Sequence, residues 1–144
     1  VLDLGIVNKS ESSLTQIYKR YDKDFLSEKE FQERIYEFMD LLEQDFAPLK
    51  STFITKSYVC HSLFCALMQK KYGIPNGKEF GASPDGFFYT DLNKTIDALS
   101  ALAGAHELQD KTGPYSEYVE ACSSTTHRIK QRKMRSKWLY DALI

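Results

Sequence analysis

The sequence predicts an all-α single domain of about six helices, an irregular bundle with a long Gly/Pro loop at 73–90. Three observations carry that prediction. Apolar residues recur at helical spacing through most of the chain, as one face of a 3.6-residue period requires. Residues that start and stop helices punctuate those stretches. The 144 residues are 42% hydrophobic and 27% charged, enough apolar side chain for one core and an ordinary globular surface.

Taken in order, residues 1–9 show no period. From Ser10 to Tyr21, Leu14, Ile17, Tyr18 and Tyr21 form one stripe of a short helix, with Ser12 or Ser13 able to cap it. Ser27 and Glu30 have the spacing of a capping box, opening a helix through Phe31, Ile35, Phe38, Met39, Leu42 and Phe46. Pro48 is the expected stop, because its ring disfavours helical geometry just before it. A second long helix is expected over 57–72, with Val59, Leu63, Phe64, Leu67 and Met68 inward and Gly73 after it.

The segment 73–90 holds four of the seven glycines and two of the four prolines, so it is read as turns. Phe87, Phe88 and Tyr89 are expected to pin it, and its length suits a short hairpin or a site lining. Asp91 caps a helix running to about His106 with Leu92, Ile96, Leu99, Leu102 and Ala103 inward. Thr112-Gly113-Pro114 restarts the chain into a short helix bearing Tyr115, Tyr118, Val119 and Cys122. Hydroxyls within 123–126 are expected to cap a last helix that packs through Ile129, Met134, Trp138, Leu139, Ala142 and Leu143.

No apolar run approaches the ~18 residues of a membrane span, and no signal peptide is visible. Three cysteines, Cys60, Cys65 and Cys122, are too few and odd for a disulfide framework, so a reduced cytoplasmic protein is expected. The chain starts at Val1 without an initiator methionine, so a processed protein or, preferred, a fragment cut from a longer one is expected.

Candidate chemistry is sparse. His61 and Cys65 share a helix face, but zinc needs further ligands, and His106-Glu107 lacks the HExxH spacing; no metal and no cofactor are expected. Cys60 and Cys65 lie among apolar neighbours that raise a thiol's pKa, so they are read as structural. Gly77, Gly81 and Gly86 match neither a Walker A nor a Rossmann fingerprint.

Charge is the informative feature. The net charge of −1 hides a split: residues 125–144 carry six basic groups and one acidic, and residues 27–46 carry seven acidic and two basic. Arg128, Arg132 and Arg135 are spaced +4 and +3 and so form one stripe, joined by Lys130 and Lys133. Arginines on one face bind phosphates bidentately and give salt-sensitive nucleic-acid affinity. The alternative is that these cations pair with the acidic stripe of Glu33, Glu37, Asp40 and Glu43, within the domain or across a dimer, and this is weighed slightly ahead of nucleic acid.

The order of features from about residue 31 to 144 resembles the helical C-terminal region of bacterial proteins with a ParB-like N-terminal nuclease domain, the GmrSD-type restriction family. The residues carrying the resemblance are Phe38-Met39, Phe46 and Phe53, then 62–67 with the sequence SLFCAL, then Thr125-Thr126, Arg128, Arg132, Arg135 and the segment 139–143. The resemblance implies that the nuclease motifs lie in a domain outside this sequence, so no catalytic residue carries over.

The function expected is therefore a non-catalytic accessory module, packing on a missing N-terminal domain or a second subunit. It would contact DNA through Arg128, Lys130, Arg132, Lys133 and Arg135, with Trp138 docking the last helix on the core. A purely structural or oligomerisation role is the first alternative. An enzyme built around the 73–90 loop with His61, Asp85 or His106 is the second, and it requires at least two of those residues to converge in a pocket.

Overall fold

The computed structural model describes residues 1–7, 11–21 and 27–144. Six α-helices and three short 3₁₀ turns make up the described fold, with no strand among those residues. The helices are α1 (Glu11–Arg20), α2 (Glu28–Glu43), α3 (Ser57–Lys71), α4 (Leu92–Glu107), α5 (Ser116–Ser123) and α6 (Ile129–Ala142). The all-α bundle expected from periodicity is what the chain adopts.

The bundle is organised around α3. Val59, Leu63, Cys65, Ala66, Leu67 and Met68 are all buried, as are the polar Ser62 and Gln69. A helix buried nearly all round must sit at the centre. α6 lies against it, and α4 and α5 pack on α6 and on each other, with Leu99, Leu102 and Tyr118 in the same buried cluster as Leu139 of α6. Gly73, with φ of 79°, ends α3 by donating its N–H to the Met68 carbonyl at 3.0 Å, a left-handed stop that suits glycine.

Several local expectations hold. Asp91 caps α4, its Oδ1 accepting the Lys94 N–H at 3.1 Å. The 73–90 segment is irregular, but it contains a 3₁₀ turn (Gly77–Glu79) instead of a hairpin. Its anchor is Phe80, 3% exposed, whereas Phe87 is 62% exposed and only Phe88 and Tyr89 are half-buried. Gln69 ties the loop from α3: its Oε1 accepts the Ile74 N–H at 3.0 Å and its Nε2 donates to the Ala82 carbonyl at 2.7 Å.

Other expectations give way. The Ser27 side chain makes no capping bond, so the capping box is not formed. α2 stops at Glu43, before Pro48 acts, because the Phe46 N–H turns back to the Leu41 carbonyl at 2.9 Å and drops the Phe46 ring into the core. α2 is also rotated from the expected face: Phe38 and Leu41 are buried while Ile35 and Met39 stay exposed. Ser12 and Ser13 lie inside α1, so neither is its cap; the expected start at Ser10 lies outside the described residues. Leu14 and Tyr18 of α1 are exposed. The N-cap of α6 is Arg128, whose side chain makes no capping bond, so none of the 123–126 hydroxyls belongs to the N-cap residue.

Candidate anion-binding cleft

The stripe of Arg132 and Arg135 exists, but it faces α3 and not solvent. Arg132 is 6% exposed and Arg135 only 1%. The half-turns between helical positions place both on the side of α6 that carries Ser136 and Leu139, which are fully buried. The face read as outward is thus the packing face.

Arg135 is held by three neutral groups. Its Nε–H donates to the Ser62 hydroxyl at 3.1 Å, and its terminal nitrogens donate to the Ala121 carbonyl at 2.6 Å and the Thr126 carbonyl at 2.7 Å. Its guanidinium carbon lies 5.6 Å from the centre of the Tyr58 ring, within cation–π range. Arg132 donates to the Val7 carbonyl, and its other terminal nitrogen lies 3.1 Å from Nε2 and 3.3 Å from Nδ1 of His61. Near-equal distances to the two ring nitrogens place that guanidinium nitrogen over the imidazole ring and not along either lone pair. Among the described residues, no carboxylate lies within salt-bridge range of either arginine.

Nearby acidic protons do not supply the missing charge. Burial pushes the thiols of Cys65 and Cys122 up to about 11, so both stay protonated at neutral pH. Burial raises the Tyr118 and Tyr58 phenols as well. It also lowers the pKa of both guanidiniums, yet an arginine starts so high that the charge is kept. Among the described residues, two desolvated positive charges therefore have no carboxylate partner. Burial disfavours such a pair of cations.

The two arginines line a cavity of about 160 Å³ with Ser57, Tyr58, His61, Thr126 and His127. α3 supplies the first three from its opening turns, and the α5–α6 connection supplies Thr126 and His127. Tyr58 is fixed from behind by His106, whose Nε2 lies 3.0 Å from the Tyr58 hydroxyl. His106 is 1% exposed, and burial followed by the charges of Lys56 and Arg135 lowers its pKa. The constellation can hold an anion: buried cations, a hydroxyl-bearing rim and a floor closed by Arg135.

The five residues expected to form one basic surface are dispersed. Arg132 and Arg135 line the cleft, and Arg128 is exposed at the start of α6. Lys130 lines a separate groove with Lys111, Glu117 and Glu120. Lys133 pairs with Glu79. The acidic helix does not answer the basic one inside this chain. Glu37 binds Lys71 and Tyr72, Glu43 pairs with Lys50 at 2.5 Å, and Glu30 pairs with Arg34 at 2.5 Å. Among the described residues no ion pair joins α2 to α6.

The residues of the enzyme alternative do not converge either. Asp85 is 2.9 Å from Lys70 at the far end of α3, about 13 Å of helix axis from His61. His106 is buried behind Tyr58. His61 and Cys65 do share a face, with Sγ 3.7 Å from Nδ1, but no group of three metal-ligating side chains forms among the described residues. Ser57 and Tyr58 escape sequence reasoning as site residues, and Thr126 is expected there only as a cap or motif residue, because nothing in local spacing signals that two chain segments meet.

Comparison with protein-family models, with curated proteins and with solved structures gives no match to this chain.

Proposed function

We propose that this chain is a non-catalytic helical accessory module that receives a phosphate group of nucleic acid in the cleft between α3 and α6. The observation that carries this reading is the pair of guanidiniums, Arg132 and Arg135, each more than nine-tenths buried and without a carboxylate partner among the described residues. An entering oxyanion relieves their uncompensated charge. Arg128, exposed at the start of α6, extends the contact along the strand.

The accessory part of the reading is supported by α2, where Ile35, Tyr36 and Met39 stay 46–60% exposed in a strip suited to packing on a partner. In the GmrSD-type reading of the sequence, that partner would be a ParB-like nuclease domain, and the module would hold DNA for it.

The test is nucleic-acid binding by the whole chain as a function of salt. The reading expects affinity that falls steeply as salt rises, and a strong loss in the Arg132→Gln variant. Binding that is absent at low salt, or that ignores salt, contradicts it.

A further inference from the structure

Resting on that reading, we propose that the cleft is built for a phosphomonoester dianion, the phosphorylated end of a nucleic-acid strand, in preference to the internal phosphodiester. The first argument is charge. Arg132 and Arg135 bring two positive charges to one cavity, and their partners among the described residues are the Ser62 hydroxyl, the His61 ring and the carbonyls of Val7, Ala121 and Thr126, with no carboxylate among them. A terminal phosphate carries close to −2 at neutral pH and balances both. An internal phosphodiester carries −1 and leaves one buried cation uncompensated.

The second argument is donor supply. A guanidinium has five N–H groups. Three of those on Arg135 have acceptors among the described residues, and one of those on Arg132 does, its other terminal nitrogen lying over the His61 ring. The remaining N–H groups suit a phosphoryl group that presents three terminal oxygens better than a diester that presents two.

The third argument is shape. At about 160 Å³ the cavity is below the roughly 300–1,000 Å³ of sites that enclose whole small ligands. It takes a head group and leaves sugar and base outside. Arg135, 1% exposed, closes the floor. A chain end enters such a recess with one ester substituent trailing out, whereas an internal linkage has two to accommodate. His127 lines the cavity, and the exposed Arg128 follows it in the chain.

The experiment compares binding of one short oligonucleotide carrying a 5′-phosphate, a 3′-phosphate or hydroxyls at both ends, read by fluorescence anisotropy on the intact chain. At least one phosphorylated form is expected to bind about tenfold or more tighter than the hydroxyl form, the scale of one added charge-assisted contact. The two phosphorylated arms tell which end is read. Arg132→Lys, which keeps the charge and loses the planar fork, is expected to shrink the difference to less than about threefold. If that variant does not fold, the comparison of the three oligonucleotides on the unmodified chain still decides. Equal affinity for all three overturns the inference and leaves the phosphate-receiving function standing. No binding of any of them overturns both. A phosphoserine peptide that binds tighter than the phosphorylated oligonucleotides also overturns the inference.

Discussion

Arg135 of α6 donates its Nε–H to the hydroxyl of Ser62 on α3 at 3.1 Å, so a cation of the basic helix is a strut of the core. Its other two bonds end on the carbonyls of Ala121 and Thr126, which belong to the end of α5 and the turn after it. One side chain thus fixes three segments at the floor of the cleft.

Truncating that strut should be costly. Arg135→Ala leaves two carbonyls and a hydroxyl without their donor in a buried setting, at about 1–3 kcal/mol for each buried group left unmade. Allowing for relief of the buried charge, the expected loss is about 3 kcal/mol of unfolding free energy, measured by urea denaturation. Arg135→Lys should recover less than half, since one ammonium cannot span three acceptors in a planar fork. A loss below about 1 kcal/mol for the alanine variant contradicts this role.

Two glycines should respond in opposite directions. A Cβ on Gly77 would stand 1.8 Å from Oε1 of Gln69, the atom that accepts the Ile74 N–H. Gly77→Ala therefore breaks the tie between α3 and the 73–90 loop and should cost about 2 kcal/mol. Gly104 is in the interior of α4 with nothing within 4 Å of a Cβ, so Gly104→Ala should stabilise by about 0.5–1 kcal/mol. Melting both variants beside the unmodified chain checks the pair, and a shared direction of change contradicts it.

His106 should make the fold acid-sensitive. Burial lowers its pKa from the ordinary value of 6.5. The unfolded chain then binds a proton at pH values where the folded chain does not. The contribution is fully present above about pH 6.5 and is lost as pH falls below it, at no more than about 1.4 kcal/mol per pH unit. Unfolding free energy measured from pH 7 to 5 should decline, and more shallowly in His106→Gln. An unchanged slope in that variant contradicts the assignment. The carboxylates held low by their partners, Glu37 with Lys71 and Tyr72 and Asp85 with Lys70, act at lower pH.

Much of this architecture is legible before folding is considered. The α3 and α4 spans, the Asp91 cap and the Gly73 stop follow from spacing and local hydrogen bonding, which act within a few residues. The spacing of Arg132 and Arg135 is legible too, but their direction is not. Charge places an arginine outside by default, and only the meeting of Ser62, Ala121 and Thr126 in space supplies the acceptors that bring one inside. The Ser27 box fails for a similar reason: spacing permits the bond, and the neighbouring geometry does not make it. Met39 and Ile35 fit the helical stripe of α2, yet the turn that buries Phe46 sets the helix's rotation and leaves both exposed.

Anion binding by Arg132 and Arg135, as proposed, is read out by thermal unfolding with added inorganic phosphate. Measured against sodium chloride at matched ionic strength, phosphate should raise the melting temperature in a saturable way, as a ligand that binds only the folded state must. The rise should vanish in Arg132→Gln. Melting temperatures that coincide in phosphate and chloride would contradict the account.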